Sequence, residues 1–248
     1  MPLYAAVSEF NMALAHNPRI VTDGLVLCLD AANSKSYPGS GTTWSDLTKN
    51  NLNASLINAV DYETNYGGEM TFDATNDYAV VSYNSSNFVN SSYTWSVFVK
   101  GQHVPNSTHN MPDIGYGSGS WPRMGFRELK GSGWQWISYS SAGSTSAFGL
   151  TIIPNTTPAN WVHLCVTIDY DNTLSKAYYN AVVSDTKSIY PDVSGNSSSL
   201  GIGRAGNTAT AWNEQFNGSI AAFSVYNRAL TANEVAQNFA ALRGRYGI

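Results

Sequence analysis

Four closely spaced aromatic residues are the strongest candidates for ligand contact in the sequence. Trp121, Trp134, Trp136 and Tyr139 fall in or beside one predicted hairpin. Trp134 and Trp136 share a face, because alternate residues of a strand point the same way. Aromatic faces are apolar and polarisable, so exposed rings of this kind can stack on sugar rings. The alternative is that the tryptophan pair fills the core between two sheets.

Two acidic turns have the residue types of a calcium site, since this ion prefers oxygen ligands from Asp, Asn and backbone carbonyls. The two sets are Asp73, Asn76 and Asp77, and Asp169, Asp171 and Asn172. Each set also fits the side-chain chemistry of an ordinary turn. We expect no required cofactor, with calcium at Asp73, Asn76 and Asp77 as the candidate metal.

The residue patterns of hydrolytic enzymes are missing from the sequence. A glycosidase needs two carboxyl groups about 5–10 Å apart, and no E-x-D-x-x-E string places them on one strand face. No G-x-S-x-G motif surrounds a serine. His163 lies in a predicted central strand, where a hydrogen-bonded core histidine is expected. We therefore expect no enzymatic activity.

Short strand patterns must position these residues. The clearest are GLVLCLD (24–30), YTWSVFVK (93–100), WVHLCVTID (161–169) and SIAAFSVYN (219–227). Turns rich in Gly, Asn and Pro separate the strands, and no strand–helix alternation occurs, which excludes a parallel α/β sheet. The pattern predicts an all-β fold, an antiparallel two-sheet sandwich.

One short helix is predicted at the C-terminal end. Thr231 is a good N-cap, and Glu234 three residues later completes a capping box. The apolar stripe consists of Val235, Phe239 and Leu242. We expect the helix to end near Arg243-Gly244 and to cover an edge or an end of the sandwich.

Composition and charge narrow the range of partners. Charged residues make up 12% of the chain, against about 25% in an average domain, and the net charge is -4. The sequence has no basic run, so we expect no nucleic-acid partner. It has no apolar stretch near the roughly 18 residues of a membrane span, so we expect no membrane partner.

The chain is expected to form an N-terminal arm, residues 1–23, and a single domain, residues 24–248. We expect residues 1–11 to derive from a cloning vector, because Glu9-Phe10 is the dipeptide that a common restriction site encodes and Met12 would make a natural start. The alternative is a native arm that docks on a neighbouring subunit.

Motifs along the chain resemble those of concanavalin A-like, laminin G-like jelly-roll domains. They are FDATNDYAV (72–80), YTWSVFVK (93–100), WVHLCVTID (161–169), KAYYNA (176–181) and FNGSI with VYNRALT (216–231). The resemblance covers residues 24–243 and implies a jelly-roll fold. The family glycines after Asp73 and Asn180 are Ala74 and Ala181 here, so we expect these two turns to differ.

A second resemblance is to virion structural proteins of tailed phages from marine and cyanobacterial hosts. It is carried by MALAHNP (12–18), LVLCLDAAN (25–33), YPG (37–39), TWSDL (43–47) and LRGRYG (242–247). The resemblance implies a place on a phage particle that is assembled in the cytoplasm of a bacterial host.

We therefore expect a non-enzymatic virion protein that decorates the capsid or forms a fibre or tail accessory. Its expected partners are other virion proteins, further copies of itself in a homo-oligomer, and a glycan of the host surface. The alternative is a carbohydrate-binding adhesin for host polysaccharide. A glycoside hydrolase is the third reading, which the missing carboxylate pair disfavours.

Overall fold

The computed structural model describes residues 18–101, 114–118, 121–129, 133–139, 147–153, 160–188, 197–205 and 216–248. Within these residues the chain forms two sheets packed face to face and one α-helix, α1 (Ala232–Tyr246). The strands pair antiparallel except for one short parallel pair. The predicted all-β sandwich is thus confirmed. No helix in the described ranges is long and apolar enough to span a bilayer.

The first sheet, called sheet A, has eight strands among the described residues. Seven follow the spatial order β14 (Val182–Lys187), β13 (Leu174–Tyr179), β12 (Val162–Asp169), β7 (Tyr93–Gly101), β17 (Asn217–Tyr226), β5 (Glu69–Asp73) and β4 (Asp61–Glu63). The eighth, β1 (Leu25–Asp30), pairs with the C-terminal half of β17. Most neighbours are distant in sequence, as the crossovers of a jelly roll require.

The second sheet, called sheet B, has nine strands among the described residues. Eight follow the order β11 (Ala147–Ile153), β10 (Gly133–Tyr139), β9 (Trp121–Leu129), β8 (Ile114–Ser118), β15 (Leu200–Ile202), β6 (Tyr78–Val81), β3 (Ala54–Ile57) and β2 (Thr43–Trp44). The ninth, β16 (Arg204–Ala205), runs parallel to β8. The inward side chains of the two sheets meet in one apolar core.

Aromatic rings fill the centre of this core. Trp95 of β7 lies 5.0 Å from Trp136 of β10 and 5.5 Å from Phe223 of β17, measured between ring centroids. All three side chains are fully buried. Burying a large apolar side chain contributes about 2–3 kcal/mol. The Trp95–Trp136 contact joins the two sheets, and the Trp95–Phe223 contact lies within sheet A.

Helix α1 packs on the outer face of sheet A, and not on an edge or an end as predicted. The predicted capping box is confirmed, since Thr231 Oγ1 accepts from the Glu234 N–H and Glu234 Oε2 accepts from the Thr231 N–H. The helix continues past the predicted end to Tyr246, because that ring packs against Phe98 and Trp161 with centroids 4.9 and 4.8 Å away.

The sandwich is closed along one side by a link between edge strands of the two sheets. In β14, Asp185 Oδ2 accepts a hydrogen bond of 3.0 Å from the N–H of Thr151 in β11. Ser184 Oγ donates to the Thr151 carbonyl at 3.3 Å. Val182, the first residue of the same strand, is 70% exposed.

The two turns that carry alanine in place of the family glycine keep a left-handed backbone. The φ angles are 62° for Ala74, 48° for Asn180 and 65° for Ala181. This is the conformation that glycine adopts without penalty. Ala74 and Ala181 therefore carry backbone strain that glycine would avoid. That these turns differ from those of the family stays a prediction.

Candidate ligand-binding site

Trp134 and Trp136 lie between the two sheets and are fully buried, so the prediction that they stack on a ligand is wrong. The Trp136 ring packs edge-to-face against Phe126 at 5.1 Å as well as against Trp95. The core-filling alternative is what the structure shows. The side chains of Trp121 and Tyr139 lie outside the described parts of the chain.

The turn that carries the calcium prediction is organised by its own side chains. Asp73 Oδ1 accepts from the Thr75 N–H at 2.7 Å. Asp77 is only 5% exposed. Burial, followed by the charges of Asp73 and Asp61, raises the pKa of Asp77 to about 6. Among the described residues, no group of three or more His, Cys, Asp or Glu side chains could hold a metal. Calcium at Asp73, Asn76 and Asp77 therefore stays a prediction.

The second acidic turn closes the hairpin of β12 and β13. Asp169 accepts from the N–H of Asn172 at 3.1 Å through Oδ1 and from its Nδ2 at 2.8 Å through Oδ2. Asp171 is exposed. The Asp169 carboxylate thus fixes the turn, and each of its oxygens retains a lone pair for a further donor.

A serine and a histidine with the spacing of a catalytic pair lie under α1. Ser96 Oγ is 2.8 Å from His163 Nε2, which is the separation of a nucleophile and its base. His163 is fully buried, and burial lowers its pKa to about 3. Its Nδ1 has no hydrogen-bond partner among the described residues. The pair therefore lacks an orienting group among the described residues, and its burial restricts the access of a substrate.

An open groove of about 270 Å³ lies on the outer face of sheet A, beside the first turn of α1. This groove is lined by Thr167, Asp169, Leu174, Lys176, Tyr178, Ala229, Leu230, Thr231 and Ala232. Its volume lies just below the usual range of about 300–1,000 Å³ for small-molecule sites. A ligand on the scale of one sugar ring would fit.

The groove combines hydrogen-bonding groups with an apolar strip. Lys176 forms no ion pair with any described residue, so its three donors are free. Thr167 of β12 lies opposite Lys176 in the sheet, and Asp169, two residues further along β12, supplies hydrogen-bond acceptors. Leu174 and Ala229 are partly exposed and apolar. Hydroxyl groups both donate and accept, so a polyol with one apolar face fits this set of groups.

Sequence reasoning did not find the groove, although it singled out Asp169. The hairpin of β12 and β13 was visible in the sequence, but Lys176 is one of 13 basic residues with no motif around it. The wall from Ala229 to Ala232 comes from a distant part of the chain. Only the position of α1 on sheet A brings the two together.

Comparison with known proteins identifies the fold. Residues 73–236 match the family model of the concanavalin A-like lectin/glucanases superfamily. A search of curated proteins finds no match. One similar solved structure is domain 4 of AbnA, a GH43 extracellular arabinanase from Geobacillus stearothermophilus, in complex with arabinotriose. It superposes with a TM-score of 0.63 at 20% identity, and the match covers 87% of this chain and 98% of that one.

Two other solved structures have the same fold. The botulinum neurotoxin serotype D binding domain gives a TM-score of 0.66 at 14% identity over 88% of this chain and 51% of that one. Trypanosoma rangeli sialidase, solved in complex with sialic acid, gives 0.64 at 17% identity over 91% of this chain and 34% of that one. The chain thus spans about half of the toxin domain and a third of the sialidase. At these identities the likeness shows the fold alone.

Proposed function

The chain belongs to the concanavalin A-like lectin/glucanases superfamily, and on that basis we propose that it is a non-catalytic carbohydrate-binding protein. The observation that carries this proposal is the groove beside α1, where the unpaired Lys176 and the carboxylate of Asp169 meet an apolar strip. The AbnA domain of the same fold, solved with arabinotriose, supports the choice of ligand class.

In the proposed complex, one sugar ring lies in the groove with its apolar face on Leu174 and Ala229. A ring hydroxyl accepts a hydrogen bond from Lys176 Nζ, and a neighbouring hydroxyl donates to Asp169. Charged partners make these bonds stronger than bonds between neutral groups. Because each contact is partly exposed, the affinity expected for one ring is in the millimolar range, about -4 kcal/mol.

We propose that the protein binds sugar without hydrolysing it. Among the described residues that line the groove, Asp169 is the single carboxylic acid, whereas hydrolysis of a glycosidic bond needs two. The Ser96–His163 pair is buried beside α1. Incubation with polysaccharide should therefore release no reducing sugar.

The second candidate function is a place on the particle of a tailed phage, as a capsid decoration or a fibre or tail accessory. The resemblance of residues 25–47 and 242–247 to virion proteins favours it, and these segments meet in the fold because Arg245 Nη1 lies 2.7 Å from Asp30 Oδ1. In this role the protein contacts other virion proteins and further copies of itself, and its groove attaches the particle to a host glycan.

A glycan array followed by calorimetric titration tests the binding proposal. We expect the chain to bind a subset of neutral glycans, and Lys176→Ala to weaken binding about tenfold, since one charged hydrogen bond is lost. Lys35→Ala, which removes an exposed lysine far from the groove in sequence, is the matched control. An array without any binding would overturn the proposal.

The virion role has a separate test. Mass spectrometry of purified particles, with labelling to place the protein on head or tail, should detect the chain in a fixed ratio to the major capsid protein. Size-exclusion chromatography of the purified chain should show a defined oligomer. Particles that lack the chain would exclude the virion role and leave the binding proposal unaffected.

A further inference from the structure

A second surface of sheet A presents an exposed aromatic ring beside charged groups. We call it the shelf, and it consists of Tyr66, Trp161, Tyr246 and Lys100. Tyr66 is 45% exposed, whereas Trp161 and Tyr246 beneath it are 3% and 4% exposed. The shelf adjoins the last turn of α1 and the groove adjoins the first, so a helix of about 20 Å separates them.

Tyr66, whose ring is exposed, has a strained backbone conformation. The residue sits in a short 3-10 turn between β4 and β5, with φ 54° and ψ 23°. This left-handed geometry costs a residue with a side chain about 1–2 kcal/mol. Gly68 fixes the turn, because a Cβ atom there would lie 2.4 Å from the Ala31 carbonyl oxygen. Strain of this kind is concentrated at functional sites.

The buried rings of the shelf hold the Tyr66 ring in place. Trp161 meets it edge-to-face with centroids 5.8 Å apart, and Tyr246 lies 6.3 Å away. Such aromatic pairs contribute about 0.5–1.5 kcal/mol beyond their buried area. The exposed part of Tyr66 is therefore a pre-oriented apolar surface and not a freely rotating side chain.

A donor and an acceptor with unused capacity lie next to this ring. Lys100 Nζ is 5.6 Å from the centroid of Tyr66 and 5.2 Å from that of Trp161. It also lies 3.4 Å from Glu69 Oε1, a long contact for an ion pair. The Glu69 side chain is only 4% exposed, and its Oε2 has no hydrogen-bond partner among the described residues. A buried acceptor without a donor is costly.

We propose that the shelf is a second carbohydrate-binding site, for a neutral sugar with two adjacent hydroxyl groups. The apolar face of the sugar ring stacks on Tyr66. One hydroxyl accepts from Lys100 Nζ and the other donates to Glu69 Oε2, so the ligand supplies the donor that this oxygen lacks. The side chain of Lys100, 29% exposed, rotates outward to admit it.

The proposal shares with the proposed function only the ligand class, since its residues are different. A second site predicts that one chain has two binding sites for sugar. These two sites would contact sugar residues about 20 Å apart, across the length of α1. Binding to a polysaccharide would then exceed binding to a single sugar, because the second contact is made within an existing complex.

Titration by NMR with cellotriose, mannotriose and galactotriose tests the shelf. The indole N–H signal of Trp161 is the reporter, and at least one trisaccharide should shift it in a saturable way. Tyr66→Asn removes the ring but tolerates the left-handed backbone, and should weaken this response about tenfold. Tyr66→Phe keeps the ring and should change it less than about twofold. Thermal unfolding checks that both variants fold.

The possible results separate the two proposals. Loss of the Trp161 response in Tyr66→Asn together with its retention in Lys176→Ala supports the shelf as an independent site. A response that is unchanged in Tyr66→Asn, or no response with any of the three sugars, overturns it. Sugar binding that depends on Lys176 alone would leave the proposed function intact and remove the shelf.

Discussion

Asn180 and Ala181 are the two central residues of the turn between β13 and β14, and both have positive φ angles, 48° and 65°. This is the geometry of the hairpin turn for which Asn-Gly is preferred. The Asn180 N–H donates to the His163 carbonyl at 2.9 Å, and Asn180 Oδ1 accepts from the His163 N–H at 2.8 Å. The neighbouring strand thus holds the turn, and Ala181 carries the strain.

Ala181→Gly should therefore stabilise the protein, by about 0.5–1.5 kcal/mol, because glycine adopts this backbone without a clash. Chemical denaturation measures the change. Ala236→Gly, at an exposed position in α1, is the control and should destabilise by about 1 kcal/mol. Equal destabilisation by both substitutions would show that the turn is not strained.

The buried His163 should make the protein acid-sensitive. Its pKa is about 3 in the folded state, against about 6.5 in the unfolded chain. The unfolded state binds the proton first as the pH falls, so stability is complete above about pH 6.5 and is lost toward pH 3. The loss is at most about 5 kcal/mol, at 1.4 kcal/mol per pKa unit.

Chemical denaturation at several pH values between 3 and 8 tests this effect, because it gives the slope of the unfolding free energy against pH. His163→Gln cannot titrate, so its stability should fall less steeply between pH 6.5 and pH 4, whatever its absolute stability. Glu234 also contributes to acid sensitivity, because its hydrogen bonds with Arg228 lower its pKa to about 2. The contribution of Glu234 to the loss of stability occurs below about pH 4.5, and it is the same in His163→Gln. Identical slopes would rule out the titration of His163.

Asp77 should have the opposite pH dependence. Its folded-state pKa is about 6, above the ordinary value, so ionisation costs stability as the pH rises through 6. Asp77→Asn should stabilise the protein by about 1–2 kcal/mol at pH 8 and by little at pH 4. A gain that is the same at both pH values would contradict this assignment.

The same variant tests the calcium prediction. If calcium binds at Asp73, Asn76 and Asp77, added calcium chloride should raise the melting temperature of the unmodified chain and leave Asp77→Asn unchanged. Magnesium chloride at equal ionic strength is the control. A melting temperature that calcium does not move would remove the metal from this turn and leave the pH effect intact.

Trp136 should matter for stability and not for binding. Trp136→Ala removes a fully buried ring that contacts Trp95 and Phe126, and should cost about 3–5 kcal/mol. Glycan affinity per folded molecule should be unchanged. Trp136→Phe keeps part of the ring volume and should recover part of the stability. Loss of glycan binding in a folded Trp136→Phe variant would show that Trp136 takes part in binding.

Local patterns in the sequence predicted local structure well. The capping box of Thr231 and Glu234 forms as expected, because its contacts span three residues. The shared face of Trp134 and Trp136 was also evident, but alternation alone does not tell the inner face from the outer one. Here Ile137, on the opposite face, is as buried as the tryptophans. The alternation therefore could not show which face of the strand meets the core.

The candidate sites depend on long-range packing and were not visible in the sequence. The groove needs α1 to lie beside the hairpin that carries Lys176. The shelf needs the turn at Tyr66 to meet Trp161 and Tyr246. A possible signal was the Gly67-Gly68 pair, which marks a sharp turn directly after an aromatic residue.

The link from Asp185 to Thr151 bears on how the molecule behaves when many copies are crowded together. A strand at the border of a sheet offers unpaired backbone groups on which another chain can polymerise. The Asp185 carboxylate satisfies one such N–H on β11 and places a negative charge at the border, which discourages strand addition from outside. Copies held at high local density should therefore be less prone to join through this border of the sandwich.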